Sequence, residues 1–118
     1  MCGLFGMIEK NMTQEFTQEN FNSEVIEASK NKPVLVDFFA SWCGPCQIQG
    51  PIVDEVSDEF AEKGVIGKLN TENAMEIANQ FGIMSIPTII IFRNGQPTER
   101  FTGVQEKETL VQSLTKHV

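Results

Sequence analysis

Two cysteines separated by a glycine and a proline, in the run Trp42-Cys43-Gly44-Pro45-Cys46, are the residues of this chain best placed to do chemistry. A dithiol at that spacing can be oxidised and reduced as a pair. The spacing predicts a helix beginning at Cys43, because residues three apart share one side of its first turn and their sulfurs can then reach bonding distance. The same first turn offers unpaired N–H groups and the positive end of the helix dipole, which favour a thiolate at Cys43. Cys43 is thus expected to be the nucleophile and Cys46 the resolving thiol. Pro45 fits the start of a helix, where its missing N–H costs nothing, and Gly44 leaves the Cys43 sulfur open to a partner.

The flanking sequence supplies elements to hold such a pair. Phe16 is predicted to end a short first strand, and Thr17 or Asn20 to cap a helix carrying Phe21, Val25 and Ile26. Pro33 opens a strand, and the almost continuously apolar Val34 to Ala40 reads as buried and central, with Asp37 as its one charged residue. From the cysteines a helix is expected to run to about Lys63, burying Ile48, Ile52, Val56 and Phe60 as one stripe and kinked at Pro51. Val65 to Asn70 reads as a strand, Ala74 to Gln80 as a short helix, and Thr88 to Phe92 as a strand that turns back at Asn94-Gly95. Residues around Glu99 to Thr102 then return antiparallel, and Gln105 to Lys116 closes the chain as a helix with Leu110, Val111 and Leu114 inside. This alternation implies an α/β fold with a mixed central sheet covered on both faces.

The run Val36-Asp37-Phe38-Phe39-Ala40-Ser41-Trp42-Cys43-Gly44-Pro45-Cys46, followed by Pro51, Lys68, Ile86-Pro87-Thr88 and Gly103, resembles the thioredoxin family in order and spacing. The resemblance covers residues 13–118, expected to form a single domain after a flexible extension, residues 1–12. It implies a thioredoxin-like three-layer α/β/α sandwich and a general protein-disulfide reductase that works by dithiol–disulfide exchange. Disulfide-containing client proteins and a thioredoxin reductase are the implied partners. Electrons would come from NADPH or ferredoxin through that reductase, with no cofactor bound to the chain itself. Gly-Pro between the cysteines points to the reducing members of the family.

Further site residues follow. Asp37 shares a strand face with Leu35 and Phe39 and is expected to be buried, which raises a carboxylate's pKa and suits it to accept the proton of Cys46. Lys68 is similar to the family lysine that approaches this aspartate and modulates its proton affinity. The resemblance implies a cis Ile86–Pro87 bond beside the disulfide, leaving the Ile86 backbone to pair with a client segment. Trp42, Ile86, Gly103 and Val104 would then form an apolar rim around Cys43, with Gly44 and Pro45 completing the client-facing surface. The chain departs from the family at Gln47, where many members carry Lys, and at Phe39, where a tryptophan is common. Trp42 is consequently the sole indole.

Other chemistries fit less well. Tetrahedral zinc needs four ligands, and besides the pair the chain offers only Cys2 and His117. A static disulfide closing so short a loop gains little entropy. Met1-Cys2-Gly3-Leu4-Phe5-Gly6 is similar to the start of glutamine amidotransferases with an N-terminal cysteine nucleophile, but their domain is far larger. A binding subunit built on the same fold would not require intact Cys43, Cys46 and Asp37, and a dedicated redox partner of one enzyme system is the nearest alternative to a general reductase. The 118 residues suit one domain, and a formal charge of −7 disfavours nucleic acid as a partner. No apolar run approaches a membrane span and Leu4 to Ile8 is too short for a signal-peptide core, so a cytoplasmic monomer with no membrane contact is expected.

Overall fold

A computed structural model describes residues 13–60 and 62–118. The extension expected over residues 1–12 lies outside the described residues. The strands β1 (Gln14–Phe16), β2 (Val34–Phe39), β3 (Val65–Asn70), β4 (Thr88–Arg93) and β5 (Gln96–Thr102) form one sheet in the order β1-β3-β2-β4-β5. The β1–β3 and β2–β3 pairs are parallel, and the β2–β4 and β4–β5 pairs antiparallel. The helices are α1 (Gly44–Glu59), α2 (Met75–Gln80) and α3 (Lys107–Thr115). The fold is the α/β sandwich with a mixed central sheet expected from the sequence.

Because side chains alternate across a strand, the apolar residues of β2 and β4 divide between two layers. On one face Val34, Val36, Phe38, Leu69, Ile90 and Phe92 pack against Phe16, Phe21, Val25, Ala74 and Ile77. The rings of Phe21, Phe81 and Phe92 meet there with centroids 5.3 to 5.7 Å apart. On the other face Leu35, Ile66, Ile89 and Ile91 are covered by Val53, Val56 and Phe60 of α1 and its end and by Leu110 and Leu114 of α3. A central strand buried on both faces needs this near-continuous apolar run.

Two expectations are corrected. The buried face of α1 is Cys46, Gln49, Val53, Val56 and Ser57, continued by Phe60, whereas Ile48 is 61% exposed and Ile52 only half-buried. Cys46 must face inward to pair with Cys43, and that fixes the rotation of the helix, placing two polar residues inside and Ile48 outside. α1 also ends at Glu59 rather than near Lys63, with Pro51 inside it. The segment after β1 is also less regular than expected: a wide π-type turn, Asn22–Glu27, runs into a 3₁₀ turn, Ala28–Lys30. Thr17 and Asn20 pair with each other ahead of it, each side-chain oxygen accepting the other's backbone N–H.

The sheet ends differ. At the β4–β5 hairpin Asn94 (φ 59°) and Gly95 (φ 82°) provide the two left-handed residues of a tight turn. β5 then carries Pro97 and a shift of register opposite Ile91 and Phe92. β1 is held through Gly67 of β3, where a Cβ would lie 2.6 Å from Phe16 Cζ and 2.9 Å from the Gln14 carbonyl oxygen. Gly67→Ala should therefore lift β1 from the sheet edge and lower stability by about 1–3 kcal/mol, the usual cost of overpacking. Denaturant unfolding measures it; an unchanged midpoint would show that Phe16 does not depend on that gap.

Candidate active site

The chain leaves β2 at Phe39 and reaches the cysteines through a short turn closed by Cys43 N–H donating to the Ala40 carbonyl at 3.2 Å. Two further contacts hold this approach. Thr71 Oγ1 donates to the Phe39 carbonyl at 3.1 Å, and one oxygen of Glu72 accepts from the Ser41 N–H at 3.1 Å and the Ser41 hydroxyl at 2.8 Å. The Ser41 N–H, and then its hydroxyl, hold the Glu72 carboxyl below the usual carboxylate range.

Cys43 stands at the N-cap of α1 rather than as its first residue, in extended conformation, and its Sγ accepts from the Cys46 N–H at 3.2 Å. A sulfur thus occupies the place of a capping oxygen, facing the N–H groups that begin the helix. Pro45 sits within the first two helical positions. Cys43 and Cys46 are disulfide-bonded, with Cα atoms 5.3 Å apart. Both are nearly covered, at 4% and 6%, while Trp42 beside them is 72% exposed.

A second loop meets the pair from β4. The Ile86–Pro87 bond is cis, the Ile86 carbonyl oxygen lies 3.8 Å from Cys43 Sγ, and Ile86 packs against Ala40, Cys43 and Cys46. The Pro87 carbonyl accepts from Gly103 N–H at 2.9 Å, bringing the segment after β5 to the same end of the sheet. Gly103 has φ +89°, a conformation that L side chains rarely adopt. Met84 is 94% and Val104 41% exposed near this region of the chain.

Beneath the disulfide, a pocket of about 350 Å³ is lined by residues that include Asp37, Cys46, Gly50, Asp54 and Lys68. Asp37 is 1% exposed, and its Oδ1 has no hydrogen-bond partner among the described residues. Burial pushes its pKa up from 3.8 to about 7, with the Lys68 charge opposing and the Asp54 charge adding to the rise. Lys68 is the register partner of Asp37 across β2 and β3, and its ammonium pairs with Asp54 Oδ1 at 3.1 Å. Thr13 Oγ1 donates to the same Asp54 oxygen at 2.9 Å. A Cβ at Gly50 would lie 3.4 Å from Lys68 Nζ, so the missing side chain gives the ammonium room.

Asp54, Ser41 and Glu72 were not singled out by the sequence reading. Asp54 had a signal, since Cys46, Gly50 and Asp54 recur every four residues on one helical face. Ser41 and Glu72 meet across two loops and left none. Together the groups form a two-electron couple at a helix start, with a buried acid of near-neutral pKa sharing a pocket with its inner sulfur. Such a site can exchange a disulfide with an incoming one.

The thioredoxin family model matches residues 12–116. Among similar proteins, "Thioredoxin 1" of Synechococcus elongatus is 43% identical over 102 residues, covering 86% of this chain and 94% of that protein. "Thioredoxin" of Chlorobaculum thiosulfatiphilum is 38% identical over 104 residues, covering 88% of this chain and 94% of its own. "Thioredoxin" of Mycobacterium bovis is 41% identical over 107 residues, covering 91% and 90%.

Proposed function

The chain belongs to the thioredoxin family and reduces protein disulfides by dithiol–disulfide exchange, and we propose that it does so as a general reductase rather than as the partner of one enzyme system. The observation that carries the reading is the Cys43–Cys46 disulfide at the start of α1, with its inner sulfur and Asp37 on one pocket.

In the proposed cycle the Cys43 thiolate attacks one sulfur of a client disulfide. That bond breaks, a mixed disulfide forms, and the departing client thiolate takes a proton. Asp37 accepts the proton of Cys46, directly or through water in the pocket, and the Cys46 thiolate attacks Cys43 Sγ. The mixed disulfide breaks, the client leaves with two electrons, and the Cys43–Cys46 bond is restored. Lys68, held by Asp54, adjusts the proton affinity of Asp37. Trp42, Gly44, Pro45, Ile86, Pro87, Gly103 and Val104 receive the client.

A thioredoxin reductase returns the electrons from NADPH or ferredoxin, and the chain works as a cytoplasmic monomer. The acidic surface supports proteins rather than nucleic acid as partners, and no helix of the described residues is long and apolar enough to cross a membrane.

Insulin reduction driven by dithiothreitol tests the cycle. The intact chain should accelerate precipitation of the insulin B chain, and equilibration with glutathione should place its potential well below the glutathione couple. Pre-reduced Cys46→Ser, incubated with insulin after dithiothreitol is removed, should stop after the first attack and accumulate a mixed disulfide on non-reducing gels that added dithiothreitol dissolves. An inert chain with both thiols free would overturn the general-reductase reading in favour of a dedicated partner.

A further inference from the structure

Gln49 has no part in the exchange, yet it is a fully buried polar side chain on α1, three residues beyond Cys46. Its amide is devoted to one loop residue. Nε2 donates to the Gln105 carbonyl at 3.1 Å, and Oε1 accepts from the Gln105 N–H at 2.7 Å. Gln105 lies in residues 103–106, between β5 and α3, the segment that carries Gly103 and Val104. The Gln105 side chain turns back to donate to the Gly103 carbonyl at 3.2 Å, and Gly103 N–H is tied to Pro87. The segment is fastened to the cis-proline loop at one end and to the cysteine-bearing helix at the other.

An apolar side chain of similar size would fill this place on α1 without the cost of burying an amide. The amide contributes definition instead. It engages both backbone groups of a single residue, as a hydrogen-bonded pair in an antiparallel ladder does, and so fixes that residue's height and orientation against the helix.

We propose that Gln49 is a positioning residue for protein clients: by holding Gln105 it sets Gly103 and Val104 beside Pro87 in the arrangement that receives a client's disulfide loop. The inference rests on the reading above, in which Gly103 and Val104 touch the client. A small disulfide needs only the Cys43 sulfur and makes no use of the loop. The two substrate classes therefore separate the role of Gln49 from the thiol chemistry.

The test compares the intact chain with Gln49→Met, using insulin and 5,5′-dithiobis(2-nitrobenzoate) as substrates, with amide hydrogen exchange at Gln105 as a third reading. Gln49→Leu replaces the methionine variant should that one not fold. The expected result is a KM for insulin raised roughly tenfold, the scale of one to two lost hydrogen bonds. The turnover number should be little changed, the rate with the small disulfide should stay within about twofold, and Gln105 N–H should lose protection. Equal losses on both substrates would place Gln49 in the thiol chemistry and overturn the inference. So would a variant matching the intact chain on insulin. An intact chain that reduces the small disulfide but not insulin would overturn the client reading and, with it, this role.

Discussion

Cys43→Ser should bring insulin reduction down to the dithiothreitol background, a fall of roughly 10³-fold or more, as expected when a nucleophile is removed. The fold should survive. Cys43 caps α1 by accepting the Cys46 N–H, and a serine oxygen is a better cap than sulfur. Circular dichroism and an unfolding midpoint equal to or above that of the reduced intact chain would establish that the loss is chemical. Cys46→Ser, by contrast, still forms the first mixed disulfide. If Cys43→Ser retained turnover, the assignment of the attacking thiol would be reversed, because the helix start would no longer be selecting between the two sulfurs.

The second large effect concerns Asp37. Its pKa is 3.8 as an ordinary carboxyl and about 7 in the fold, mainly from burial. Below the lower value it is protonated in both folded and unfolded chains and stability does not depend on it. Between the two values the unfolded chain ionises first and the folded one retains its proton, so the fold binds more protons and stability falls as pH rises. Above about 7 the destabilisation is complete, on the order of 4 kcal/mol. Asp37→Asn removes this dependence. The variant should follow the wild type with only a small offset near pH 3 and be the more stable protein at pH 8, as chemical denaturation across pH would record. A constant difference at every pH would mean that Asp37 is not the buried acid described here.

The same substitution separates stability from catalysis. Asn cannot accept a proton, so the client mixed disulfide should resolve about 10²-fold more slowly just above pH 7, where Asp37 is largely ionised and an ordinary thiol still holds its proton, the usual scale for losing a general base. Added alkali should narrow the gap as Cys46 ionises unaided. Stopped-flow decay of the mixed disulfide gives this rate directly, and wild-type resolution in Asp37→Asn would leave Asp37 without its proposed role. A more stable but slower variant is the expected combination, because the groups that make a site reactive are often costly to bury.

The reactive pair and the strands that carry it could be read before any coordinates because their signals are local. Cys43 and Cys46 lie within one helical turn, Asp37 interrupts an apolar run, and Asn94-Gly95 specifies its own turn geometry. The misread face of α1 shows where local signals stop. Ile48, Ile52, Val56 and Phe60 make a plausible apolar stripe, but the covalent need to turn Cys46 inward fixes the helix rotation and puts Gln49 and Ser57 inside. Hydropathy favours the first arrangement, and only the site chemistry selects the second. Asp54 and Lys68 pair between a helix and a strand, while Ser41 and Glu72 meet from separate loops. Contacts between distant segments depend on the completed sheet order, which no window of neighbouring residues contains.

The two margins of the sheet bear on how this protein tolerates company. A sheet edge offers unpaired backbone groups to any passing extended chain, the first step of aggregation. Here one margin is only three residues long, and the other includes a proline, which has no N–H to donate, beside a break in register. Both make poor templates for a further strand. A reductase must meet partly unfolded neighbours repeatedly and part from each, and these blunted margins turn such neighbours away except at the sulfur, where contact ends in release.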